Sequence, residues 1–155
     1  MGSSDMTKKK IQIRKANEDD WEILLEWRND IETRSASNNT ELVSEERHIN
    51  WLRSVVQDPD RLLYIAEQSG DPVGTVRADF SKNICELSWT VAPPARGKGI
   101  GKEMVYIVAL MIPNQLYAEV KNANPASMRI AKYCGMYCTH QDNELSYFKR
   151  DEVLI

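Results

Sequence analysis

Residues 96–102 read Arg96-Gly97-Lys98-Gly99-Ile100-Gly101-Lys102, set between an extended run, Ile84-Cys85-Glu86-Leu87-Ser88-Trp89-Thr90-Val91, and an apolar helical segment from Met104 to Ile112. A strand that feeds a glycine-rich turn and then a helix N-terminus builds an anion site. The glycines let the backbone approach a ligand closely, and the first free N–H groups of the helix point at it. Arg96, Lys98 and Lys102 add positive charge at the positive end of the helix dipole. The expected ligand is phosphate or pyrophosphate.

Spacing separates the phosphate-binding patterns. A P-loop requires Gly, four residues, then Gly-Lys-Ser/Thr. Here Gly101-Lys102 is followed by Glu103, and Arg96 stands where the first glycine belongs. The dinucleotide fingerprint Gly-x-Gly-x-x-Gly fails as well, because Gly97, Gly99 and Gly101 are spaced by two. Arg/Gln-x-x-Gly-x-Gly/Ala is satisfied by Arg96 to Gly101.

Downstream, a strand-like Leu116-Tyr117-Ala118-Glu119-Val120 precedes Asn124-Pro125-Ala126-Ser127-Met128-Arg129-Ile130-Ala131-Lys132-Tyr133-Cys134-Gly135-Met136. Asn124 and Pro125 suit an N-cap and first helical residue, and Gly135 a C-terminal stop. Taken in order, the loop preceded by Val91-Ala92-Pro93-Pro94 and this capped helix resemble the GNAT superfamily of N-acyltransferases. The resemblance runs from about Ile11 to Phe148. It implies an α/β (α+β) single-domain fold: a mixed, mostly antiparallel sheet, helices on both faces, and a splay between the fourth and fifth strands. It also implies acetyl-CoA as donor substrate, with its pyrophosphate at Arg96, Gly97, Lys98, Gly99, Ile100, Gly101 and Lys102.

Length and composition agree with one soluble domain. The chain has 155 residues, enough for a sizeable core, with 42% hydrophobic and 28% charged residues. A formal charge of −3 supplies no basic field for nucleic acid or acidic membranes. No window reaches the roughly 18 apolar residues of a membrane span, and no signal peptide is visible, so a cytoplasmic location is expected. Residues 1–10 suit a flexible leader and 11–155 the domain. Cys85, Cys134 and Cys138 are an odd set, and with His140 they make no recognisable zinc spacing, so no metal is expected.

The elements follow in order. Ile11 to Arg14 alternates as a strand, and Asn17 to Asp20 caps a helix with Trp21, Leu24, Leu25 and Arg28 on one stripe. A polar loop is expected from Glu32 to Glu41, then a helix capped by Ser44 with Ile49, Leu52, Val55 and Val56 buried. Strands follow at Arg61 to Glu67 and Val73 to Phe80. The tail closes as a hairpin, around Tyr137 to Thr139 and Leu145 to Phe148.

For the chemistry, alternation puts Glu86, Ser88 and Thr90 on one strand face and Cys85, Leu87, Trp89 and Val91 on the other. A carboxylate in mid-strand beside a thioester can take an amine proton, which makes Glu86 the candidate base; a solvent-facing glutamate without a role is the alternative. Family resemblance implies direct attack in a ternary complex, with the backbone of Trp89, Thr90 and Val91 pairing with the pantetheine arm. Many relatives carry a tyrosine four residues before the closing glycine, where this chain has Ala131. Ser127 is the replacement acid, Tyr133 or water being alternatives, and Asn124 orients the donor while capping its helix.

The acceptor side rests on Trp27-Arg28-Asn29-Asp30, Arg34, and Ser44 with His48 and Trp51. These resemble N-acetyltransferases of nucleotide-linked 4-amino-4,6-dideoxy sugars, in which arginines suit a diphosphate and a ring stacks on base or sugar. Equally, Trp27 and Trp51 suit a core and Arg28 a surface ion pair. Protein N-terminal acetylation of the ribosomal-protein type and a non-catalytic acyl-CoA sensor are the rival functions. A monomer or homodimer is expected.

Overall fold

The computed structural model describes residues 10–37 and 40–154. All of the expected leader except Lys10 lies outside them. The strands among the described residues are β1 (Ile11–Lys15), β2 (Arg61–Gln68), β3 (Asp71–Ser81), β4 (Ile84–Val91), β5 (Gln115–Lys121), β6 (Tyr137–Gln141) and β7 (Leu145–Arg150). They form one sheet in the order β1-β2-β3-β4-β5-β7-β6. Every neighbouring pair is antiparallel except β4 with β5. The α-helices among the described residues are α1 (Trp21–Asn29), α2 (Ile31–Ala36), α3 (Glu45–Gln57), α4 (Ile100–Leu110) and α5 (Pro125–Tyr133).

Register divides the side chains between two faces. Val76 pairs with Tyr64 and Trp89, and Cys85 pairs with Leu116, so these residues share a face with Leu87 and Val91. Helix α4 packs there through the buried Met104, Val105 and Val108, and α5 through Ile130 and Ala131. The opposite face carries Leu63 and Ile65, covered by α3, and continues into Arg77, Asp79, Glu86, Ser88, Tyr117 and Glu119. Helices on the two faces thus leave a polar face at the β4–β5 end.

Two sequence expectations change. The segment expected as a polar loop contains α2, which begins where the Asp30 carboxylate accepts the Thr33 N–H (3.1 Å). No residue of α2 is buried, so hydrophobic periodicity had nothing to register. On α3 the buried stripe is His48, Leu52 and Val55, at helical spacing, whereas Val56 is exposed and Ile49 half-buried.

The closing hairpin is present, but β7 inserts between β5 and β6, which makes β6 the edge. Arg150 on β7 then serves the end of α4. Its guanidinium donates to the carbonyls of Ala109 (3.0 Å), Ile112 and Asn114 (2.8 Å) at and just beyond the helix end.

Candidate active site

Strands β4 and β5 pair only over Ile84–Glu86 and Gln115–Tyr117. Beyond that point Leu87–Val91 stays paired with β3 and Ala118–Lys121 with β7, and no pair joins them across the gap. The parting leaves backbone N–H and C=O groups on facing edges, where an extended ligand arm can add as a strand. Trp89, Thr90 and Val91 lie on one edge, as expected, and Glu86 sits at the apex.

The first turn of α5 docks beside this gap. Asn124 caps the helix by accepting the Ser127 N–H at its side-chain oxygen (3.2 Å). Its amide nitrogen donates to Ser127 Oγ (3.2 Å), and so does Trp89 Nε1 (3.1 Å). With two donors on its oxygen, the hydroxyl directs its own hydrogen elsewhere. Ser127 is a half-buried, pre-oriented O–H donor fixed to the strand that borders the gap.

The glycine-rich loop leads out of β4 through Ala92 and a short 3₁₀ turn, Pro93–Ala95. Gly97 and Gly99 adopt φ of 77° and 78°, left-handed values that tax any side chain. Gly99 caps α4 with no side chain to satisfy the first helical N–H groups, which stay available to an anion. Gly101 does different work. A Cβ there would lie 2.6 Å from Ile130 Cδ1 and 3.1 Å from Val91 Cγ2, so its absence lets α4 seat against α5 and β4. Lys98 and Lys102 are exposed at the loop. Tyr133, 55% exposed, has as ring neighbours Tyr106 (5.5 Å) and the Lys102 ammonium (5.7 Å), both on α4. It lies six residues, about 9 Å of helix rise, from Ser127.

Arg96 departs from expectation. Its guanidinium donates to Asp30 Oδ2 (3.0 Å), Glu32 Oε2 (2.8 Å), Thr33 Oγ1 (2.9 Å) and the Val91 carbonyl (3.3 Å). Its charge is thus committed to the α1–α2 junction, and the anion site keeps the loop backbone, Lys98 and Lys102. Asp30 gains correspondingly. Burial alone would push its carboxyl up, but the Thr33 N–H and Arg96 outweigh that and hold it below the usual carboxylate range.

Glu86 is exposed on the polar face, paired in register with Asp79 and Tyr117. Desolvation pushes its carboxyl upward, Glu119 and Asp79 add to the rise, and Arg77 opposes it. Asp79 is held by Arg61 (2.9 Å) and Arg77 (3.0 Å), and Glu119 accepts the Tyr117 hydroxyl (2.8 Å). Tyr117, Asp79 and Glu119 were not singled out from the sequence; the cross-strand register places them on the face of Glu86.

On the acceptor side the structure corrects several residues. Trp27 is 3% exposed and belongs to the core, so it offers no ring face to a ligand. His48 is fully buried. Its Nε2–H donates to the Trp21 carbonyl (3.1 Å), while Nδ1 has no partner. Burial, with Arg28 nearby, pushes its pKa down against the Trp21 hydrogen bond, so it is a neutral core histidine. Asn29 clamps Val43 by both backbone groups (2.9 Å each), and Arg34 donates to the carbonyls of Asn29 (3.2 Å) and Thr40 (3.4 Å). Both thereby fix the chain around residues 40–43.

Arg28 and Trp51 do reach a concavity of ≈ 170 Å³, lined also by Glu41, Leu42, Val43 and Arg47. The Arg28 guanidinium lies 4.8 Å from the Trp51 ring centre and that of Arg77 5.8 Å. Arg28 Nη1 is buried without a hydrogen-bond partner, and burial, Arg77 and Arg47 together lower its pKa. Arg47, one helical turn before Trp51, was legible by spacing and was missed. A larger hollow of ≈ 380 Å³, lined by Glu45, Glu46, Ile49, Asn50 and Arg53, holds none of the site residues.

Among the described residues no group of three or more His, Cys, Asp or Glu side chains is placed to hold a metal. Burial pushes the Cys85 and Cys134 thiols up to about 12, leaving neither as a thiolate near neutral pH. No helix among the described residues is long and apolar enough to cross a membrane.

The family profile described as "Acetyltransferase (GNAT) domain" matches residues 10–137. No curated protein sequence gave a match. Solved structures with similar folds include the aminoglycoside acetyltransferase AAC(6')-Ib in complex with coenzyme A and kanamycin (TM-score 0.77, 16% identity, 92% of this chain and 95% of that one). Spermidine N-acetyltransferase from Vibrio cholerae, in complex with CoA and spermine, aligns at TM-score 0.78 and 14% identity over 90% and 94%. The Salmonella typhimurium protein yncA, with acetyl-CoA, aligns at 0.77 and 18% over 92% and 94%.

Proposed function

The chain belongs to the GNAT acetyltransferase family, and from that premise we propose that it moves the acetyl group of acetyl-CoA to the primary amine of a small molecule, the 4-amino group of a nucleotide-linked amino-deoxy sugar. The observation that carries the transfer is the β4–β5 gap with Glu86 at its apex and the Ser127 hydroxyl fixed beside it.

In this mechanism the pantetheine arm pairs with the Trp89–Val91 backbone and the pyrophosphate meets the N–H groups opening α4. Glu86 takes the ammonium proton directly or through water, since a raised carboxyl is the better match to that task. The free amine attacks the carbonyl carbon, the C–N bond forms, and a strand N–H bordering the gap supports the oxyanion. Collapse breaks the C–S bond; the Ser127 O–H gives its proton to the departing thiolate and regains one through water from the attacking nitrogen, which leaves the neutral amide and free CoA thiol.

The nucleotide-sugar acceptor is supported by Arg28, with Arg47 and Arg77 as its charged neighbours and Trp51 beneath it. Arg77 is partly engaged by Asp79, but the Arg28 Nη1 has no hydrogen-bond partner, and a buried guanidinium N–H of that kind suits a diphosphate oxygen. One observation favours protein N-terminal acetylation instead: the Glu119 carboxylate acts on Glu86 across the polar face, a local negative charge suited to a peptide N-terminus.

Coenzyme release from acetyl-CoA discriminates, with a UDP-4-amino-4,6-dideoxy sugar or N-terminal peptides as acceptor. Turnover with the sugar alone supports the proposal, and turnover with peptides alone replaces it with N-terminal acetylation. CoA binding without turnover on either leaves the sensor function.

A further inference from the structure

Helix α2 is a six-residue helix with no buried residue, and Ile31, its one large apolar side chain, is 71% exposed. Apolar packing therefore contributes little to holding it in place. Polar ties hold it at both ends. At its N-terminal end Arg96, just beyond β4, bonds Asp30, Glu32 and Thr33 and also the Val91 carbonyl that ends β4. Toward its C-terminal end the Lys121 ammonium, at the end of β5, donates to the Ser35 carbonyl (2.9 Å).

Strands β4 and β5 are parallel and part beyond Glu86 and Tyr117, so Val91 and Lys121 mark the two sides of the open end of the gap. A helix tied to both sides spans that opening. We propose that α2 is a polar strap across the mouth of the β4–β5 gap, and that Arg96 and Lys121 are positioning residues that hold it at the open end, beside the acceptor's approach to Glu86. Arg96 thereby acts through α2 on the acceptor, although it stands within the loop that receives the donor's pyrophosphate. The two carboxylate contacts of Arg96 differ in strength. Asp30 is 25% exposed at its side chain and joins Arg96 and Thr33 in one knot, whereas the Glu32 carboxylate is 77% exposed and adds little.

The kinetic part of this inference rests on the acetyl-transfer proposal; the structural part stands without it. Arg96→Gln and Lys121→Met are compared with wild type by hydrogen exchange of amides 31–37, by calorimetric titration with CoA alone, and by steady-state kinetics on the acceptor that turns over. Exchange of those amides should quicken about tenfold in either variant while CoA affinity changes less than about twofold. The acceptor KM should rise about tenfold with a smaller change in kcat, and Arg96→Lys should recover part of it through Asp30.

Unchanged exchange at 31–37 in both variants overturns the strap. A tenfold loss of CoA affinity in Arg96→Gln with unchanged exchange assigns the side chain to the donor's phosphates and overturns it as well. Where no acceptor turns over, the acetyl-transfer proposal fails while exchange and calorimetry still decide the strap.

Discussion

Glu86→Gln removes a carboxylate and keeps its shape, which makes it the sharpest probe of the proposed chemistry. Glu86 lies at the apex of the strand gap with its carboxyl pushed above the ordinary value of 4.5 by desolvation, Glu119 and Asp79. General bases contribute roughly 10²- to 10⁴-fold. The side chain is exposed, so water can substitute in part, and the lower end applies: a fall in kcat of about 10²-fold, or about 2.7 kcal/mol in the barrier.

The assay is CoA release against pH, with kcat and kcat/KM measured separately. Wild-type activity should rise with pH through a limb set by the raised carboxyl, and that limb should be lost in Glu86→Gln. Glu119→Gln should move the limb toward 4.5, because it removes one of the charges that raises it. CoA affinity should stay within about twofold, since Glu86 faces away from Trp89 on β4. Stability should not fall. A raised folded pKa contributes stability while the group is protonated and loses it as pH rises through that pKa, so the neutral amide is tolerated at alkaline pH. A kcat within about threefold of wild type, with the limb in place, would refute Glu86 as the base.

Further outcomes follow from particular contacts. Ser127→Ala leaves Trp89 Nε1 without its acceptor and should cost about 1–2 kcal/mol in thermal or urea unfolding as well as lowering kcat; full activity removes Ser127 from the chemistry. The His48 pKa is lowered by burial, so its contribution is present above about 6.5 and is lost as pH falls below that value. Urea titrations should therefore show a slope below about pH 6.5 that His48→Gln flattens. Arg150→Met strips donors from the carbonyls of Ala109, Ile112 and Asn114 and should cost roughly 2–3 kcal/mol, a drop in Tm of about 5–10 °C.

Short-range spacing made much of the fold legible. The alternation of β4 separated Glu86 from Trp89, Asn124 and Ser127 stood three apart as a cap and its first-turn partner, and the glycine spacing marked a pyrophosphate-type loop. Each of these depends on residues a few positions apart, whose relation is set by backbone geometry alone. Helix α2 was illegible for the same reason, since it has no buried stripe and its stability comes from side chains distant in the chain.

The sequence by itself determined the order of elements apart from α2, the loop and the strand face of the candidate base. Tertiary structure alone decided what the charges and rings do. Arg96 finds Asp30 across 66 residues and Trp89 finds Ser127 across 38, so whether an arginine faces a phosphate or a carboxylate depends on which loops the sheet order brings together. Trp27 and His48 suited a binding face by residue type and lie in the core. Their burial was fixed by how α1 and α3 pack together and on the sheet, a long-range outcome that spacing within one helix does not encode.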